Sequence, residues 1–185
     1  MNDPAEGGPA EAPGPLHDFS QSHVGILARL EALRALPARL ADPQADPKAL
    51  REATAELLAF FEDAVIEHHA EEEETLFPAV ARSAAPGDES SLVASLANHL
   101  TREHRRIETE WRALEPALKR ISQGKPADLD AAALLRLCDI YVAHARFEES
   151  TYLPLAARIL SSNDQSALAL TLHMRHSVDK VYGHF

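Results

Sequence analysis

The tightest constraint on this chain is an internal repeat. Residues 68–82, HHAEEEETLFPAVAR, align without gaps on residues 144–158, HARFEESTYLPLAAR. Seven of the fifteen positions are identical: His68/His144, Glu72/Glu148, Glu73/Glu149, Thr75/Thr151, Pro78/Pro154, Ala81/Ala157 and Arg82/Arg158. The offset, from His68 to His144, is 76 residues. A fainter match at an offset of 81 pairs Phe19/Leu100, His23/His104, Ile26/Ile107, Leu30/Trp111 and Leu33/Leu114. Such a chain is expected to form two helical hairpins related by an approximate two-fold axis. Each would supply a lone histidine followed by a His-x-x-x-Glu.

The segments between chain breakers are long enough for the helices this requires. The first spans about 16–36 and is expected to stop at Pro37. Asp46-Pro47 supplies a cap and first turn for the second, which runs to about residue 82 before SAAPGD breaks it. The third covers about 89–122 and ends at Gly124 and Pro126. The fourth covers about 129–160, with Asp128 as its expected N-cap. A shorter segment, about 165–182, is expected to pack across one end. Short loops between long helices favour antiparallel neighbours. The expected fold is therefore all-α: an up-down-up-down four-helix bundle with a short additional C-terminal helix. Aromatic residues at only 5% of the chain also disfavour strands. The Pro/Gly-rich residues 1–15 read as a disordered leader, leaving 16–185 as the bundle domain.

Steps of three and four residues mark one buried face per helix. These stripes are Phe19, His23, Ile26, Leu30 and Leu33; Leu57, Phe61, His68, Glu72 and Leu76; Leu100, His104, Ile107, Trp111 and Leu114; and Leu137, Tyr141, His144, Glu148 and Tyr152. Each is apolar or aromatic except where it carries histidine or glutamate. Residues four apart differ by about 40° around a helix, so each His-x-x-x-Glu aims two ligands at one point. With no Lys or Arg on the stripes, Glu72 and Glu148 would be buried without a partner, a cost of several kcal/mol that a bound cation removes. Six N/O donors without thiolate favour iron, manganese or cobalt over structural zinc. Carboxylate-bearing bundle sites commonly hold two ions, although six donors also suffice for one octahedral ion. The metal ligands are thus expected to be His23, His68, Glu72, His104, His144 and Glu148.

Neighbouring residues receive plainer readings. His69 and Glu73 share the same spacing, but His69 aligns with Ala145 and its stripe passes through Glu62, so His68 and Glu72 are taken as the inward pair. The other glutamates of the 71–74 run are expected to face solvent. His17, His99, His69 and Glu108 are placed beside the ligand set, and the sequence leaves open whether any of them also ligates or braces a ligand. Tyr141, Tyr152 and Trp111 read as core, and Cys138 as buried and inert. His173, His176 and His184 read as surface residues, and Pro78 and Pro154 as helix kinks near one end of the bundle.

Together these motifs, PLHDFSQSH around His23, EHHAEEEETLFPAV around His68 and Glu72, LTREHRRIE around His104, and HARFEESTYLPLA around His144 and Glu148, resemble the hemerythrin-like (HHE cation-binding) family over roughly residues 16–160. The resemblance implies a four-helix bundle with a non-haem, usually di-iron centre that binds O2 or responds to NO or redox state. It carries the six ligand positions over to the same six residues. Two departures stand out. Oxygen-carrying hemerythrins place two histidines four apart on the third helix, where this chain has His104 and Glu108. They also end the fourth motif with an Asp five residues after its histidine, where this chain has Glu148 at four and Glu149 at five. Those departures put reversible O2 carriage in doubt and suit sensing, iron handling or peroxide chemistry at least as well.

The cofactor is expected to be two iron ions, with manganese or zinc as substitutes. The expected ligands are O2, NO or another small diatomic or peroxide. The alternatives are a di-iron peroxidase or oxygenase, or a bundle whose metal is structural and whose role is partner binding. A net charge of −11 argues against nucleic acid and anionic membrane as partners. No run approaches the roughly 18 apolar residues of a membrane span, and no signal-peptide pattern is visible, so a cytoplasmic protein is expected. Any protein partner is not legible from the sequence.

Overall fold

A computed structural model describes residues 14–182, with side chains as far as Arg175. The expected leader, at residues 1–13, and the side chains of His176 and His184 lie outside the described residues. Gly14 and Pro15 are instead the N-cap and first residue of a helix.

The described residues form five helices joined by short loops, without strands. Helix α1 is Pro15–Ala41, α2 covers residues 47–83, α3 is Asp88–Ser122, α4 covers residues 131–159 and α5 is Ser162–Tyr182. In packing, α1 touches α2 and α4, and α3 touches α2 and α4. The fifth helix lies on α1 and the second half of α2.

Two local expectations are corrected. Pro37 does not end α1. Its missing N–H and ring cost roughly 3 kcal/mol within a helix, but Leu36 is fully buried and Leu40 packs on the core beyond it, so packing carries the helix to Ala41. The cap of α4 is Asp130 in place of Asp128: its Oδ1 accepts the Ala133 N–H at 2.8 Å. Asp46 does cap α2, accepting the Lys48 N–H at 2.9 Å. Accordingly, Asp130→Ala is expected to lower stability by about 1 kcal/mol and Asp128→Ala by less than about 0.5 kcal/mol. Urea unfolding midpoints of the two variants provide the check.

The paired prolines share a backbone feature. Pro78 and Pro154 each follow a wide π-turn, at Glu72–Leu76 and Glu148–Tyr152, closed by Phe77 N–H to Glu72 C=O and Leu153 N–H to Glu148 C=O. The repeat thus extends to backbone geometry at the same 76-residue offset. A π-turn holds one residue more than an α-turn and shifts the buried face by one position, so Leu76 and Phe77 are both buried, as are Tyr152 and Leu153. A further π-turn, Phe61–Val65, occurs in α2 alone.

All twenty stripe residues are buried. Their apolar members fall into two clusters. One holds Ile26, Leu30, Phe61, Val65, Ile107, Trp111, Leu137 and Tyr141, with Phe61 and Trp111 stacked at 3.8 Å between centroids. The other holds Phe19, Leu76, Leu100 and Tyr152, closed by Leu168 and Leu172 of α5. On every one of the first four helices, the histidines and glutamates fall between a residue of one cluster and a residue of the other. The polar residues therefore form a layer sealed by apolar packing on both sides.

Candidate metal centre

Each helix sets its polar residues at the step where its buried face crosses this layer. His23, His104, His144, Glu72 and Glu148 are at most 1% exposed, and His68 is 3% exposed. His69, set aside on sequence grounds, is fully buried in the same layer. Two groups of candidate ligand atoms result, each within 4.8 Å internally: His23, His68, Glu72 and Glu148, and His69, His104 and His144.

The carboxylates join the two groups. Glu72 Oε1 lies 2.9 Å from His68 Nε2, while its Oε2 lies 3.1 Å from His104 Nε2. Glu148 Oε2 lies 3.4 Å from His23 Nε2 and 3.8 Å from His144 Nε2. The Nε2 atoms of His23 and His68 face each other at 3.0 Å.

Behind the imidazoles stands an outer ring of carboxylates. His23 Nδ1 meets Glu149 at 2.8 Å, His104 Nδ1 meets Glu73 at 2.7 Å, and His144 Nδ1 meets Glu103 at 3.1 Å. His69 Nδ1 lies 3.6 Å from Glu108. A carboxylate on Nδ1 fixes the ring orientation and leaves Nε2 to point inward as a lone-pair donor. Glu73 therefore does not belong to a solvated face, as its place in the acidic run suggested. Arg105 bonds both Glu73 and Glu108, so positive charge compensates the outer carboxylates and leaves the inner pair alone. The ring also follows the repeat. Glu149 of α4 braces the α1 histidine as Glu73 of α2 braces the α3 histidine.

Burial sets the protonation of the layer. It drives the Glu72 carboxyl up to about 8 despite the pull of His23. Burial, then the neighbouring Glu72, drive Glu148 up to about 7. It also lowers His68 and His69 to about 4 each and, with His69 and His144 alongside, takes His104 far below the ordinary imidazole range. At His23 burial is outweighed by hydrogen bonds and charge from Glu148 and Glu149, which hold it raised to about 9.

The fit to a cation rests on unmet polar atoms. Nε2 of His69, His104 and His144 and both oxygens of Glu72 and Glu148 are buried and lack a hydrogen-bond partner. Seven such atoms around one point would be costly in a protein interior, and as neutral imidazoles and carboxylates they form a metal donor set.

Other residues stand close to their sequence readings. His17 and His173 are exposed. His99 is 42% exposed, with Nε2 3.3 Å from Glu103, which in turn holds His144. Tyr141 and Tyr152 are fully buried, and their hydroxyls lack partners. Cys138 is buried, and burial pushes its thiol up to about 11, so it is unreactive.

A helical fold enclosing braced imidazoles and two inward carboxylates defines a histidine–carboxylate cation-binding protein. The profile of the hemerythrin HHE cation-binding domain matches residues 14–156, and the chain belongs to that family. A search of curated proteins gave no match. No helix among the described residues is long and apolar enough to cross a membrane.

Proposed function

We propose that this protein holds a pair of iron ions in an up-down-up-down bundle and uses them to sense O2, NO or redox state, or to handle iron. The observation that carries this reading is that each carboxyl group reaches histidines of both donor groups, as bridging ligands between two ions would. His23 and His68 would serve one ion, His104 and His144 the other, with Glu72 and Glu148 between them. Bound iron would supply redox change and an affinity for small diatomic ligands. The chain's own residues supply neutral imidazoles, their fixed orientation and the exclusion of bulk water. The proposed topology is supported by the order in which the helices cross the two cores: α1 and α3 pass from the Phe19–Leu100 cluster to the Ile26–Ile107 cluster, and α2 and α4 pass the opposite way.

A cleft of about 310 Å³, lined in part by Gly25, Ile26, Phe60 and Ala64, reaches His68. It gives a small molecule a route to the edge of the centre at His68, as a sensing or iron-handling role requires. The unpartnered hydroxyls of Tyr141 and Tyr152 keep a peroxidase as the second reading, since either could donate a proton near the centre. A cytoplasmic setting belongs to the same proposal.

Anaerobic titration with ferrous iron tests the reading, with elemental analysis and visible spectra before and after air or NO. Two irons per chain and a new visible absorption are expected. No iron uptake, or one ion with no spectral response to either gas, would contradict it.

A further inference from the structure

Besides Glu103, whose α1 counterpart is Ser22, the two hairpins differ in chemistry around the site at two places. The counterpart of His69 in α4 is Ala145, and the counterpart of Glu108 in α1, at the 81-residue offset, is Leu27. Ala145 is buried and Leu27 packs on the apolar core. On the α2–α3 side, the two departures meet: His69 Nδ1 lies 3.6 Å from Glu108 Oε1. His69 stacks on His104, with centroids 4.0 Å apart and rings 7° from parallel. Both its ring nitrogens are buried without a hydrogen-bond partner, and it is grouped with His104 and His144 as candidate ligands.

We propose that His69, steered by Glu108, is a ligand of the ion held by His104 and His144, so that the two ions have unequal donor sets. That ion has three imidazoles, drawn from α2, α3 and α4, and the other has two, from α1 and α2. The α3 position one turn after His104, occupied by Glu108, faces this side of the site and contributes a carboxylate that orients the imidazole offered by α2. Arg105, 2.7 Å from Glu108 Oε1, holds that carboxylate in place. A purely structural histidine would fill the same volume, but an ordinary core position would satisfy at least one ring nitrogen, whereas here both lack a hydrogen-bond partner and Nδ1 faces a carboxylate. Glu108 is a positioning residue in this scheme. The inference rests on the two-metal reading above and goes beyond it by assigning a ligand and an asymmetry.

The test is anaerobic titration with 57Fe(II) of the wild type, His69→Ala and Glu108→Gln, read by stoichiometry, stepwise affinity and Mössbauer spectra, with folding followed by circular dichroism. The wild type is expected to bind two irons giving two distinct signals of equal weight. His69→Ala should weaken one of the two irons on the order of 100-fold or more and alter the signal of that iron. Glu108→Gln should weaken the same iron by about 10–100-fold. Two irons bound to His69→Ala with wild-type affinities and spectra would overturn the assignment while leaving the two-metal reading intact. A wild type that binds fewer than two irons would overturn both. Should His69→Ala fail to fold, Glu108→Gln decides, and unchanged affinity and spectra there would overturn the proposal.

Discussion

Replacing Glu72 by glutamine is expected to make the metal-free bundle more stable at pH 8 while removing its response to iron. Glu72 is fully buried, and its carboxyl, raised to about 8, is half ionised there and offset only in part by the His23 imidazolium. Glutamine keeps the shape without the charge, and its amide can donate to the imidazole nitrogens of His68 or His104, 2.9 and 3.1 Å from the Glu72 oxygens. A carboxyl raised from 4.5 to about 8 costs the folded state several kcal/mol at pH 8, and a neutral isostere removes that cost. The same change removes an anionic ligand shared by both donor groups. For the wild type, iron at a thousandfold excess over its Kd would add about 4 kcal/mol, roughly 10 °C in Tm for a chain of this size. Thermal melts with and without ferrous iron at pH 8 test both parts. A variant that melts lower than the wild type when metal-free, or that keeps the full iron-induced shift, would contradict the role given to Glu72.

The metal-free protein should also lose stability steeply between about pH 6.5 and 8. A carboxyl with a raised folded pKa contributes stability that is lost as pH climbs from the unfolded value of 4.5 through the folded one, about 8 for Glu72 and about 7 for Glu148. His23, raised to about 9, contributes stability fully present below 6.5 and lost as pH rises through 9. The lowered histidines, His68, His69 and His104, act the other way, but only below their unfolded value of 6.5. From 4.5 to 6.5 the opposing sets largely cancel. Above 6.5 the lowered histidines, His68, His69 and His104, are neutral in both states, and Glu72, Glu148 and His23 all favour unfolding as pH rises. Each proton contributes about 1.4 kcal/mol per pH unit, so the decline amounts to several kcal/mol. Iron requires the ionised carboxylates and neutral imidazoles, so its affinity should rise over the same interval with proton release. Melting temperatures across pH 5–9, with and without iron, provide the check. A metal-free stability that rises from pH 6.5 to 8 would contradict the assignment.

The features carried by periodicity were legible before the structure. The stripes from Phe19 to Leu33 and from Leu137 to Tyr152 are buried throughout, because a 3.6-residue period across a long segment defines one face whatever the tertiary detail. His69 was missed for a physical reason. Its stripe was traced back to Glu62, but Glu62 sits within the π-turn Phe61–Val65, which breaks the 3.6 period before His69, so exposed Glu62 and buried His69 do not share a face. The alignment with Ala145 was also misleading as a guide to direction. Ala145 is 1% exposed, so the position points inward in both hairpins and differs only in what fills it.

The outer carboxylates lie beside the stripes, where helical periodicity ranks them as half-exposed. Yet Glu73 and Glu149 are among the seven identities of the repeat, and that duplication was the available signal for a paired role. Glu103 has no such counterpart: the matching α1 residue is Ser22, and His68 Nδ1 accordingly lacks a partner. Only the folded arrangement reveals its contact with His144.

The central claim is that two ions lie within one buried layer, one in each donor group. Anomalous diffraction at the iron edge from crystals grown with ferrous iron tests it most directly. The account predicts two peaks about 3.5–4 Å apart, one beside His23 and His68 and the other beside His104 and His144, with Glu72 and Glu148 between them. A single peak, or iron only on the exposed glutamates of the surface, would contradict it.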